Sequence, residues 1–462
     1  MRSRSTSRAT AFGLALSLGL LLVGAGQAGA AASYAEQVRE ETLENGLKVI
    51  LLPDHKAPVG VVQVWYRVGS RNETTGLTGL SHMLEHMMFK GTGKYGPNEY
   101  SEIIAREGGS ENAFTSDDAT AYFAKLAADR LEVELELEAD RMRGLKLTAA
   151  EFEPERKVVA EERRLRVDDD PISWLYETMD AATFQTHPYR HPTIGWAADI
   201  ENWSLEDLQI HYDRYYQPGN AVLVAAGDFD PDQMAASVRK NFGAIPAGDP
   251  PPEMTVKEEE PRGPRRVEVT RPARLPFVAM AHPAPNLDHP DSAALEVLDV
   301  ILSGGKSSRL FEALVRENPV ALGASSHYSR TAVDDRTFVV AAQAQPGRSA
   351  DEVEAALAAE IEKIRNEPPS EEELERAKRQ IEASFVFSQD SIFYRAMLLG
   401  TYEMAGGWRQ LDEYLPATAA VTPADVQRAA RRWLGAERRT TGILHPEKKS
   451  IEPMTEQAGE AG

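Results

Sequence analysis

The chain has 462 residues, ten His, no Cys and a formal charge of −21. That length exceeds one ordinary core and points to two or more domains of roughly 100–200 residues each, while 42% hydrophobic and 27% charged residues exclude wholesale disorder. The acidic balance argues against nucleic acid, because phosphate contacts need a basic surface, and the lack of Cys excludes disulfides and lipid-modified thiols.

In chain order, Arg2, Arg4 and Arg8 precede an apolar run from Ala11 to Ala25 and then small residues including Ala28, Gly29 and Ala30. This is the pattern of a secretory signal peptide over residues 1–30, with an apolar core shorter than the roughly 20 residues that span a bilayer. Its removal takes away three Arg and no acid, so the expected mature chain carries −24, has no membrane span and is periplasmic or secreted. Residues 47–52, bounded by Asn45, Gly46 and Pro53, predict one strand, and residues 61–68 another, read together as a β-hairpin.

A helix is expected to begin near Thr78 and to carry HMLEH, residues 82–86. At 3.6 residues per turn, His82 and His86 stand one above the other with Glu85 beside them. Leu80, Met83, Leu84, Met87, Met88 and Phe89 surround them, an apolar setting in which unpaired imidazoles and a carboxylate are costly. Two neutral imidazoles at i and i+4 suit a zinc ion, a neighbouring carboxylate can take a proton from metal-bound water, and H-x-x-E-H is the inverted zinc-peptidase order. A helix at 99–106 leads to short strands at 113–115 and 120–123, and Asn112, Ala113, Phe114 and Thr115 are candidates for an edge strand to which an extended peptide can add. Beyond a helix at 128–143, the charged pattern from Glu153 to Arg166 is helical. Glu155 and Glu162, seven apart, share one of its faces. A catalytic zinc usually takes three protein ligands, so this helix can supply the one that HMLEH lacks.

HMLEH followed at this distance by ERKVVAEERRLR resembles the pitrilysin-like M16 family of zinc peptidases. Residue by residue, the resemblance implies His82, His86 and Glu162 as ligands of one zinc per chain, Glu85 as the catalytic base, and Glu155 as a supporting carboxylate that orients a liganding His. NAFTS resembles the family's substrate-binding strand. HPYRHPTIG at 187–195 and YYQPGNAVLVAAGDFD at 215–230 resemble segments that close its first domain. The resemblance runs from Leu43 to about His445. It implies an α+β fold (a LuxS/MPP-like metallohydrolase) of two homologous halves, each a mainly antiparallel sheet flanked by helices, the second metal-free. It also implies a peptide substrate and pairing as a homodimer or with a separate metal-free M16-like chain.

Composition divides the chain accordingly: a zinc-binding half at 38–246, a Pro-rich charged linker at 247–266, a second half at 267–446 and a polar tail at 447–462. Where the second half matches HMLEH it offers Val297, Leu298, Val300, Ile301 and Leu302, with no ligand among them. Helices are expected there at 349–366, 370–388 and 423–434. For the substrate-contacting Arg and Tyr that the family's larger members carry, Tyr328 is the candidate. The remaining histidines, His187 and His191 among them, are expected to be structural. The expected activity is a zinc-dependent endopeptidase; the alternatives are a non-catalytic assembly subunit and a chaperone-like module that binds peptides without cutting them.

Overall fold

The computed structural model describes residues 33–447, so the signal peptide expected at 1–30 and all but the first residue of the tail lie outside the described residues. In the first half six strands form one sheet: β1 (Arg39–Thr42), β2 (Lys48–Pro53), β3 (Val59–Tyr66), β4 (Ser110–Thr115), β5 (Thr120–Ala127) and β6 (Ala221–Gly227), in the order β1-β2-β6-β3-β5-β4. The second sheet holds β7 (Arg265–Arg271), β8 (Phe277–Ala284), β9 (Ala321–His327), β10 (Arg336–Ala344) and β11 (Thr440–Pro446), in the order β7-β11-β8-β10-β9. Leaving β1 aside, the two orders are the same. The last strand inserts parallel to the first and antiparallel to the second, and the third ends at an edge. The α+β architecture of two similar, mainly antiparallel halves is therefore as the sequence implies.

The expected β2–β3 hairpin is not there. These strands do not pair with each other, because β6 lies between them, parallel to β2 and antiparallel to β3. The physical reason lies in β6 itself: all seven residues of AVLVAAG are buried, and a strand without a polar face needs a neighbour on each edge and a layer on each side. Its backbone groups are satisfied only in the middle of the sheet.

The helix Leu80–Met87 follows β3 and buries Leu80, Met83, Leu84 and Met87 in the core of the first half. Across from it runs the helix Ala149–Arg163, started by the Thr148 hydroxyl accepting the Glu151 N–H and ending in a π-turn, Arg164–Asp168. At the equivalent place after β8, the helix Ser292–Ser303 buries Leu295, Val297, Leu298, Ile301 and Leu302 and has no counterpart of the paired histidines. The outer face of the first sheet is covered by a helix of the second half, Ile392–Ala405, whose Ala396, Leu399 and Tyr402 meet Ile50, Leu52, Val61, Trp65, Val222 and Val224. Reciprocally, the helix Pro171–Thr183 of the first half lays Leu175 and Met179 on Ala279, Ala281, Ala341 and Leu444 of the second sheet.

Candidate active site

Helical spacing turns His82 and His86 to one side, where their rings meet edge to face with centroids 4.7 Å apart. The neighbouring helix Ala149–Arg163 brings Glu162 to them: Oε2 lies 3.8 Å from His82 Nε2 and 3.4 Å from His86 Nε2. One ligand atom from each of the three side chains falls within 4.8 Å of the others, and no other such group of His, Cys or carboxylates occurs among the described residues. Glu155, two turns earlier, accepts from His86 Nδ1 at 2.8 Å and is held from its other oxygen by Lys90 Nζ at 2.6 Å. That bond fixes the tautomer and leaves the His86 Nε2 lone pair facing the cluster. Glu161 points away, exposed and paired with Arg164 at 2.7 Å. Adjacent residues differ by about 100° around a helix, so only one of the two can face the histidines.

The electrostatics fit a cation. Burial, then the neighbouring His86 and Arg166, pushes the His82 pKa down to about 3, so its imidazole is neutral and able to coordinate. For His86 burial works in the same direction, but the hydrogen bond and charge of Glu155 and the charges of Glu162 and Glu85 outweigh it and raise the value. Two imidazoles, one free carboxylate oxygen and a carboxylate behind a ligand are a donor set suited to zinc.

Glu85, on the same helix face, accepts from Thr115 Oγ1 at 2.6 Å. Burial raises its pKa, with the Thr115 hydrogen bond opposing. Thr115 thus does more than the peptide-edge role the sequence assigns it, since its hydroxyl orients Glu85. Among the described residues strand β4 is the sheet edge, paired with β5 alone. Its Asn112, Ala113, Phe114 and Thr115 line a cavity of about 770 Å³ together with His82, Glu85, His86 and Glu162.

The second half contributes Arg336 to this cavity, where its guanidinium pairs with Asp117 at 2.7 Å and covers the Tyr189 ring at 4.7 Å. Sequence reasoning missed Arg336, which opens a strand after the acidic turn Asp334–Asp335 and carries no motif. Tyr328 requires correction: it does not line the cavity. It is 6% exposed, its hydroxyl donates to the Pro285 carbonyl at 2.6 Å, and its ring stacks on Phe338 in the core of the second half. His187 pairs with Asp334 at 3.1 Å, and His191 reaches the cavity wall beside Thr75 without joining the cluster.

Two family models match the chain: Insulinase (Peptidase family M16) over residues 48–196 and the Peptidase M16 inactive domain over 202–381. The zinc protease PqqE of Helicobacter pylori is 35% identical over 92% of this chain and 97% of its own. An uncharacterized zinc protease of Mycobacterium tuberculosis is 32% identical over 89% and 94%. The crystal structure of a protease from Helicobacter pylori, 35% identical, superposes with a TM-score of 0.86 over 88% of this chain and 99% of that one. With both halves matched in order and the HMLEH helix inside the first, this chain is a member of peptidase family M16.

Proposed function

We propose that the chain is an exported zinc-dependent endopeptidase that hydrolyses peptides or unfolded polypeptides. In this reading His82, His86 and Glu162 hold one zinc per chain and Glu85 is the general base. The observation that carries it is the convergence, on one cavity wall, of a three-ligand cluster and a buried carboxylate beside an unpaired strand edge. When bound, zinc lowers the pKa of a water and polarises a carbonyl oxygen. The chain's own residues do the rest. Glu85, its pKa raised by burial and its carboxylate aimed by Thr115, accepts the proton of the attacking water and returns it to the leaving amine. The free edge of β4 aligns an extended peptide by main-chain hydrogen bonds, so register along the strand sets which bond lies over Glu85.

Export rests on the leader pattern of residues 1–30, and no helix among the described residues is long and apolar enough to cross a membrane. Pairing with a second chain of this kind, identical or metal-free, is supported by two exposed apolar side chains, Val158 on the helix that carries Glu162 and Leu165 in the π-turn that ends it, 50% and 57% exposed. Digestion of a quenched peptide library by the purified chain, with and without a chelator, tests the activity. Chelator-sensitive cleavage supports the reading. Peptide binding without cleavage at full zinc loading would replace it with a peptide-binding module.

A further inference from the structure

Glu73 is a buried carboxylate that this chemistry leaves unused. It follows the 3-10 turn Ser70–Asn72, is 5% exposed, and reaches forward to the start of the helix Leu80–Met87. Its Oε2 accepts from the Gly79 N–H at 2.6 Å and its Oε1 from the Ser81 N–H at 2.7 Å. That helix has no cap of its own, since Gly79 occupies the N-cap in the left-handed region at φ +86° and no acid stands in the first turn. The preceding turn is held in the same way by Asp199, whose Oδ2 accepts from Gly76 N–H, Thr78 N–H and the Thr78 hydroxyl at 3.1, 3.1 and 2.6 Å.

A Ser or Asn at the N-cap would satisfy such donors without burying a charge. Here two carboxylates serve instead, and the groups facing Glu73 are Asp199, Tyr215 and, through Ser81 Oγ, the His211 ring at 3.1 Å. An isolated buried carboxylate is costly. What it supplies here is negative potential at the positive end of the helix whose first turn contains His82, together with a two-point anchor on Gly79 and Ser81, the second of which immediately precedes that ligand.

We propose that Glu73 is a positioning residue for the metal cluster: its ionised carboxylate fixes the axial position and rotation of the helix bearing His82, Glu85 and His86, and offsets the helix dipole against the bound cation. The inference rests on the zinc reading above. Burial, reinforced by Asp199 and opposed by the Ser81 and Gly79 hydrogen bonds, pushes the Glu73 pKa up to about 7, so the anchor changes charge near neutral pH.

The test is competitive titration of the metal-free full chain with zinc between pH 6 and 8, for wild type, Glu73→Gln and Glu73→Asp, with circular dichroism and Tm as checks of the fold. Glu73→Gln is expected to weaken zinc binding at pH 8 by about 10- to 100-fold, the range of partners behind metal ligands. It should also lose the part of the pH-dependent rise in affinity that Glu73 supplies. Glu73→Asp, which keeps the charge on a shorter arm, is expected to recover part of the affinity and to keep a pH-dependent rise. Should Glu73→Gln not fold, the Asp variant alone decides, by an intermediate affinity that still rises with pH. A folded Glu73→Gln chain with wild-type affinity and pH profile overturns the proposal. So does an equal weakening of both variants with the profile unchanged, which marks a mere cap. A wild-type chain that takes up no zinc removes the metal reading itself, and this proposal with it.

Discussion

Glu85 shows how one side chain is prepared by its surroundings: burial raises its pKa while a single hydroxyl, Thr115, holds it in place. Glu85→Gln keeps the shape and one acceptor, so zinc content and Tm should stay near wild type while peptide turnover falls at least ~10²-fold. Near-wild-type turnover at full zinc loading would assign the base elsewhere. Glu162 and Glu161 give a sharper comparison, because neighbours in one helix face opposite environments. Glu162→Gln should weaken zinc binding by more than the roughly 10–100-fold expected for partners behind the ligands. Glu161→Gln should leave it nearly unchanged, since exposed helical pairs are worth only about 0.2–0.5 kcal/mol. Zinc titration of the two variants decides, and loss in the Glu161 variant alone would mean the third ligand is misassigned. These residues were legible in the sequence because helical spacing is local: i, i+4 for the histidines and i, i+7 for Glu155 and Glu162. Tyr328 and Arg336 were not, because whether a side chain meets a backbone carbonyl in the core or a cavity depends on strands far away in the chain.

Among the elements, helix spans were readable from capping and periodicity. Residues 349–366 and 370–388 match Ala350–Asn366 and Glu371–Ser388, each opened by a Ser capping box. Pairing partners were not. The hairpin read into β2 and β3 gave way to a strand that begins 155 residues after β3 ends (Tyr66 to Ala221), since strand order follows from burial of both faces of β6 rather than from any local turn. The capping box of Glu371–Ser388 carries a pH signature. Glu373 takes the Ser370 N–H at 2.9 Å and Arg309 through both oxygens at 2.7 and 3.0 Å, and the Arg309 hydrogen bond, ahead of burial, which opposes it, brings its pKa down to about 2. A folded value below the unfolded one means that the contribution is complete above about pH 4.5 and disappears as pH falls toward 2. Glu373→Gln should therefore cost about 1 kcal/mol at pH 7 and little near pH 2, read by urea unfolding at both. At the crossing of the helix Ile392–Ala405 with the first sheet, a Cβ on Gly400 would stand 2.2 Å from the Trp65 ring. Gly400→Ala should destabilise by about 1–3 kcal/mol through overpacking; an unchanged Tm would show that the ring can move aside.

Across the whole molecule, ion pairs join the halves where the apolar layers do: Arg395 with Asp54 at 2.6 Å, Lys48 and Arg67 with Glu403 at 2.8 and 2.9 Å, and Arg336 with Asp117. Residues 33–246 expressed alone would bare the face of Ile50, Val61 and Trp65, and residues 263–447 the face of Ala279 and Leu444. Each fragment should be insoluble alone and the two soluble when co-expressed, a result that independent folding of either half would contradict. The covering helices occupy equivalent places, each the third α-helix after the fourth strand of its own five-strand unit. Two subunits that trade the same helix are a domain-swapped dimer, and this chain has the form of one whose protomers have been joined end to end. In such an arrangement the traded helices, not a metal, hold the two halves together, so the assembly does not need metal ligands in both of them. Calorimetry of the metal-free protein should then show one transition for both halves.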